Sequence, residues 1–338
     1  MQDMISIEKV LNSRCSCDFD GNPKNDHWGM FANNKHPSQE NLQVVLECCN
    51  APQFSDGKLL HWFKDEYLFL GFEKVTEPFE MRLLHIESGM QQEAVYLACT
   101  ALALGTCIFN MGINGTENED KMLTVRHLIL ENIGSYGTEK FSTSAPGPEK
   151  PFKKGKNLSE PKRDGSMQCL SELRQLTLSK NIAIQADETD VSQMLWAARG
   201  RTPHYVKSHP WGLTIPTYGG GQNYTDIYLF KKNKLFRYVN WTTPLSECWW
   251  IAGNPTHGIK PEGNVNISSE LEDANVAIIV SRNEETNRAL WEVGYMIENM
   301  LLQARSLGIS YKTKVFAAEE TQKLKTKGLP NAVAALLL

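Results

Sequence analysis

No stretch of this sequence approaches the roughly 18 consecutive apolar residues that a membrane-crossing helix requires. The longest apolar face, around 94–104, is interrupted by Thr100. The opening MQDMISIEKVLNSR has neither an apolar run nor a small-residue cleavage site, so it reads as an amphipathic helix rather than a secretion signal. No charge of one sign dominates: 35 Lys and Arg face 39 Asp and Glu, for a formal net charge of −4. A general nucleic-acid or membrane-surface binder would carry a basic surplus. The 8 cysteines never fall into paired C-x-x-C spacing, which argues against a zinc site of that pattern. Reduced, mostly buried thiols in a cytoplasmic protein are expected.

What is present is enough apolar material for two cores. The 338 residues are 41% hydrophobic and 22% charged, and a typical domain takes about 100–150 residues. The chain also repeats itself. Glu87-Ser-Gly89-Met-Gln-Gln-Glu matches Glu292-Val-Gly294-Tyr-Met-Ile-Glu, and each opens a run with apolar residues at helical spacing. A β-like run comes after both, Thr106–Asn110 and Tyr311–Phe316. Upstream, Ser16 and Pro52 are separated by nearly the same span as Ser179 and Pro216, with a helix leading to each proline. The strand Tyr67–Phe72 is matched to Asp226–Phe230. The second copy carries an insertion at 230–275 that holds Trp241, Trp249, Trp250 and His257. Residues 142–165, rich in Pro, Gly, Ser and Lys, read as an extended basic linker between a first unit, 1–141, and a second, 166–338.

Both units resemble the flavin-dependent nitroreductase-like superfamily. The segments that carry the resemblance are Ile7–Phe19, Glu47–Pro52 and 87–114 in the first, and Ser192–Gly200, Thr214–Gly221 and 292–310 in the second. The carboxy-terminal unit most resembles the SagB-type dehydrogenases that oxidise azoline rings in modified peptides. The resemblance implies an α+β fold of two tandem nitroreductase-like halves, joined as an internal pseudo-dimer with the two long helices at its centre. It also implies FMN at the interface and hydride transfer between a reductant such as NADH or NADPH and a small-molecule or peptide-derived substrate. The assembly expected is a monomeric pseudo-dimer or a homodimer of it.

By the resemblance, one site combines Arg14 and Ser16 with Lys153, Lys154 and Lys156 around the FMN phosphate. Gly112 and Ile113 form a turn facing the flavin, and the loop Pro216, Thr217, Tyr218, Gly219, Gly220 and Asn223 lies against the ring. The second site is expected to be broken. Leu176-Thr-Leu-Ser-Lys180 lacks the arginine, no basic tail follows Leu338, and Phe54 and Asp56 stand where small neutral residues are expected. The expectation is therefore one FMN per chain. Asp18, close to the phosphate residues, departs from the family pattern. The residues taken alone also allow plainer readings: Ser16 as a helix cap, the glycines as a flexible turn, the lysines as a solvated linker, and the insertion's aromatics as hydrophobic filling. A degenerate, non-catalytic flavin- or ligand-binding scaffold or partner subunit is the alternative function.

Overall fold

A computed structural model describes residues 5–14, 17–18, 29–30, 36–64, 67–73, 75–108, 116–117, 122–131, 151–182, 184–202, 212–216, 224–242 and 255–338. The described helices are α1 (Ile7–Ser13), α2 (Gln39–Cys48), α3 (Pro78–Ala101), α4 (Cys169–Leu173), α5 (Glu188–Arg199), α6 (Asn287–Leu307) and α7 (Ala318–Thr326). Their starts follow local chemistry. Ser6, Ser38, Glu77 and Thr286 each accept a first-turn N–H, Asp187 closes a capping box, and Pro78 sits in the first turn of α3. Helix α6 stops at Gly308, whose φ of 67° lies in the left-handed region.

Two antiparallel sheets flank the helices. The first is built from β3 (Leu59–Lys64), β4 (Tyr67–Glu73), β5 (Leu104–Ile108) and β7 (Met122–Glu131), in the order β3-β4-β7-β5, with β6 (Thr116–Glu117) against β7. The preceding β1 (Cys17–Asp18) and β2 (Gly29–Met30) form a separate small pair. The other large sheet uses β8 (Lys156–Asn157), β9 (Ser179–Lys180), β12 (Thr225–Lys231), β13 (Lys234–Trp241), β14 (Pro255–Asn264), β15 (Val276–Arg282), β16 (Tyr311–Val315) and β17 (Ala332–Leu337). Its order is β8-β14-β13-β12-β15-β17-β16-β9, and β10 (Arg201–Thr202) with β11 (Gly212–Leu213) pairs apart from it. Its central four strands, β12-β15-β17-β16, repeat the order β3-β4-β7-β5, and in both sheets the long helix comes after the second strand of that series.

This order corrects the strand match made from the sequence. Thr225–Lys231 takes the place of Leu59–Lys64, and Val276–Arg282, which leads into α6, takes the place of Tyr67–Glu73. The reason is where the extra residues enter. They split a hairpin that in the first sheet closes within residues 64–67. The additional strands β13 and β14 extend the second sheet sideways through a tight turn at Lys232 and Asn233, both at positive φ (51° and 60°). On the outer face of that sheet Phe230, Ile279 and Leu271 pack with Leu324 of α7 in a second core.

The part of the expected linker that the structure describes, from residue 151, is tied to the fold. Phe152 is buried, and Lys156 and Asn157 form the edge strand against Gly258 and Ile259. The Lys162 N–H donates to Gln193, Arg163 donates to Asn12 and to the Arg201 carbonyl, and Ser6 donates to Asp164. Beside it the two helical starts are laced together: Ile7 N–H meets the Met167 carbonyl and Cys169 N–H the Ile5 carbonyl, each at 3.0 Å.

The centre of the molecule is the crossing of α3 and α6. A Cβ placed on Gly89 would come within 2.7 Å of the Trp291 Cα; one placed on Gly294 would come within 2.8 Å of the Gly89 Cα and 2.7 Å of the Met90 nitrogen. Backbone therefore touches backbone, and both residues must lack a side chain. Gly294→Ala is expected to cost about 1–3 kcal/mol or more through overpacking, read as a lower urea midpoint with an unchanged m-value. A midpoint equal to wild type would refute the close crossing.

Candidate functional site

Arg14 caps the C-terminal end of α1 and is only 3% exposed. Its Nε donates to the Thr214 carbonyl at 3.1 Å and its Nη2 to the Leu213 carbonyl at 2.8 Å. The guanidinium lies 5.3 Å from the centre of the Tyr96 ring. The Tyr96 hydroxyl accepts the Ile108 N–H at 3.0 Å, and Asn299 Nδ2 donates to the Thr214 carbonyl at 3.1 Å. Three segments that the sequence assigned to a cofactor therefore adjoin residues held at one place: the one after Arg14, the one after Ile108 and the one after Pro216, which is itself buried. Ser16, Gly112, Ile113, Thr217, Tyr218, Gly219, Gly220 and Asn223 lie outside the residues whose side chains are described.

The helix interface carries two carboxyl groups that reasoning from the sequence passes over. Glu93 and Glu298 each stand one turn past their crossing glycine, and they are 0% and 1% exposed. Burial pushes the Glu93 carboxyl up to about 8, against smaller opposing effects of Arg14 and Asn299. Glu298 is raised well above the ordinary range by burial and by Glu93. Both groups are thus protonated below neutrality. Their shared position in the repeated segments was the available signal, since an acidic residue recurring in an apolar stripe cannot be a solvated face.

Around this pair the two ends of the interface differ. Thr177, which stands where an arginine would match Arg14, donates to the Ser179 carbonyl. Glu298 has Cys48 and Cys169 as neighbours instead of a guanidinium. Burial raises Cys48 to about 12 and Cys49 and Cys169 well above the usual thiol value, so these free thiols are not nucleophiles. Phe54 and Ser55 donate backbone N–H to Glu87 Oε1 at 2.5 and 2.6 Å. The matching Glu292 accepts from Thr225 Oγ1 at 2.5 Å and from Arg199 at 3.1 Å.

Of the lysines expected at the phosphate, Lys156 is placed by the edge strand of the second sheet. Lys153 and Lys154 are exposed, and Lys156 on the sheet edge pairs with Glu188 at 3.2 Å. The strap residue that reaches α1 is Arg163, through Asn12 at 2.8 Å. The lysine run resembled a basic tail, but edge pairing with β14 carries it to the border of the second sheet.

His257 forms a buried trio with Ser192 (3.0 Å) and Tyr238 (2.9 Å), which invites comparison with a hydrolytic triad. The count of donors and acceptors assigns it otherwise. Ser192 donates its one proton to the Ser159 carbonyl at 2.9 Å, so it can only accept from His257 Nε2, and Tyr238 donates to Nδ1. Burial lowers His257 to about 4, leaving a neutral ring with no acidic partner among the described residues. The trio fastens the strap to α5. Trp241 is buried under Arg201, 4.5 Å from ring to guanidinium, while Trp249, Trp250, His204 and His209 lie outside the described residues. Among the described residues no group of three His, Cys, Asp or Glu could hold a metal, and no helix is long and apolar enough to cross a membrane.

The raised Glu93 value sets a pH dependence. The folded state binds that proton more tightly than the unfolded chain, so the contribution is fully present below about pH 4.5 and is lost as pH rises to about 8. Glu93→Gln is expected to be more stable than wild type at pH 9 and to lose the advantage towards pH 5. Urea denaturation across that range tests it; a pH-independent difference would contradict the assignment.

No family model matches the chain, and a search of curated proteins gives no match. Solved structures do resemble it. A candidate nitroreductase from Ralstonia eutropha JMP134 shares 17% identity over 58% of this chain and 94% of its own, with a TM-score of 0.41. One from Thermotoga maritima MSB8 shares 12% over 99% of this chain and 94% of its own, with a TM-score of 0.46. One from Anabaena variabilis ATCC 29413 shares 8% over 89% of this chain and 73% of its own, with a TM-score of 0.51. The last of these likenesses identifies the architecture: the chain has the mixed helix-and-sheet fold of its nitroreductase-like neighbours.

Proposed function

We propose that the chain is an FMN-dependent oxidoreductase made of two fused nitroreductase-like halves, an internal pseudo-dimer with one FMN between them. The observation that carries this reading is that Arg14, Ile108 and Thr214, which adjoin the segments that the resemblance assigns to the flavin, are linked at one place. The fit of an anionic cofactor can be tested on Arg14 itself. Its Nη1 is buried and has no partner among the described residues. Below about pH 8 Glu93 is neutral, so the guanidinium charge is not cancelled there. A buried cation with a spare donor suits a phosphate. Arg14 and Ser16 would hold that phosphate, and the 109–115 and 217–223 segments would face the ring.

Bound FMN would supply hydride exchange with a reductant such as NADH or NADPH and with a small or peptide-derived substrate. The chain's own part is to fix and shield. Arg14 ties the Leu213–Thr214 backbone to α1, Tyr96 orients the backbone at Ile108, and the buried helix interface excludes water from beneath them. The SagB-type peptide dehydrogenase is the specific branch proposed for the second half, and a cytoplasmic protein, monomeric or dimeric, is the setting. The placement of Lys156 on Glu188 favours one competing reading, a non-catalytic ligand-binding scaffold.

Absorbance of the purified chain and quantified flavin release separate these. About one FMN per chain is expected, and Arg14→Ala is expected to weaken binding by about 10- to 100-fold, the worth of a charge-assisted contact of about 1.5–3 kcal/mol. Two FMN per chain would refute the asymmetry between the sites. A folded chain that takes up no FMN would refute the enzyme reading and leave the scaffold.

A further inference from the structure

We propose that two copies of this chain join through β3, so that the first sheet runs on across a two-fold axis. The proposal is independent of the flavin reading and rests on what the second sheet has and the first lacks. There β12 takes the place of β3, and its side away from β15 is filled by β13, in register from Tyr228↔Arg237 to Lys231↔Lys234. Among the described residues no strand stands at that position beside β3, which pairs with β4 alone. The outer faces differ in the same way. Helix α7 covers Phe230 and Ile279 of the second sheet. In the first, Leu60, Trp62 and Phe69 are half-buried and belong to neither core of the described residues. Trp62 and Phe69, opposite each other in the register, stack at 5.4 Å with ring planes 9° apart. An open strand edge and an uncovered aromatic face thus meet at one border.

Strand β3 has none of the features that keep an exposed edge from pairing, such as shortness, charge, proline or a bulge. The border strands of the second sheet are 2 residues long and carry a lysine each, Lys156 in β8 and Lys180 in β9. The opposite border of the first sheet, β5, is buried at Leu104, Gly105 and Thr106. By contrast β3 is 6 residues long, holds no proline and runs against β4 without a break in register. Its last residue, Lys64, pairs with Tyr67 three positions on, a spacing that makes them a hydrogen-bonded pair. Leu59, His61 and Phe63 therefore direct N–H and C=O away from β4. What fits there is an extended apolar strand, and β3 answers that description: Leu59-Leu60-His61-Trp62-Phe63 is bounded by exposed Lys58 and Lys64. A two-fold axis makes the pair antiparallel and lets each copy complete the other's edge. A register centred on Trp62 sets the two tryptophans opposite each other and pairs His61 with Phe63 across the axis. It also keeps Lys58 and Lys64 from opposing each other, which like charges disfavour.

Sedimentation equilibrium of the full chain over micromolar concentrations measures the mass in solution, and twice the mass of one chain is expected. His61→Pro removes an outward N–H, and Trp62→Lys places a charge on the aromatic border. Each is expected to raise the dimer dissociation constant by about tenfold or more while the far-UV spectrum stays that of wild type. Hydrogen exchange of the wild type decides the matter even if both variants fail to fold. In the dimer the amides of Leu59, His61 and Phe63 should exchange as slowly as those of Leu60, Trp62 and Lys64, which already face β4. A chain that stays monomeric at every concentration, a dimer that both folded variants leave intact, or a dimer whose Leu59, His61 and Phe63 amides exchange freely would each overturn the proposal. None of these readings depends on FMN, so failure here leaves the flavin reading standing, and a chain without FMN leaves this one.

Discussion

The structure depends on one close approach, the contact of α3 with α6 at Gly89 and Gly294. Nothing else among the described elements brings the two sheets' long helices near enough to share a core. The carbonyl facing each glycine belongs to the residue three positions before the other glycine, Trp291 in one case and Ile86 in the other. The contact is thus reciprocal, and reciprocity sets the partners of the neighbouring positions along both helices. Past the glycines, Glu93 and Glu298 are brought to the same interface. Before them, Glu87 and Glu292 each turn back to hold a segment that precedes a strand. Buried carboxyls would be costly in such a place if charged. The interface tolerates Glu93 and Glu298 because burial keeps the proton on them.

From that near-symmetric frame the two sides depart in opposite directions. One side acquires a guanidinium, Arg14, with its carbonyl acceptors and aromatic floor. The other acquires thiols, a threonine and a phenylalanine. The second sheet adds β13, β14 and the strap strand at one border and a covering helix on its outer face, for which the described part of the first sheet has no equivalent. Hydrogen bonds to a buried guanidinium therefore collect at one end of the interface, while thiols and apolar side chains fill the other.

Much of this was legible in residues whose demands are local. A glycine recurring after an acidic residue in two helical runs announces a close approach, and the caps Ser6, Asp187 and Thr286 announce helix starts. Arg14 was singled out as a phosphate residue, and what it touches among the described residues is backbone carbonyl and aromatic ring. Other features were hidden because they arise only on folding. The strap 151–165 has the composition of a linker, yet it takes its place through an edge pairing with residues a hundred positions later. Val276–Arg282 went unmatched because the insertion fell inside a hairpin and displaced its second strand. Glu93 was concealed by the habit of reading an acid in a helix as its wet face.

The 200 positions between Arg14 and the carbonyl of Thr214 carry a consequence for biosynthesis. At about 5–20 residues per second, a ribosome needs about 10–40 s to make that stretch. For most of that interval α1 has no Met167 or Cys169 to lace against, and then no acceptor for its terminal guanidinium. Helix α3 waits longer still, because the backbone it must touch is made after residue 286. The amino-terminal portion of the nascent chain therefore leaves a largely apolar helix uncovered until late in translation. Packing of that helix into the core therefore waits for the emergence of α6.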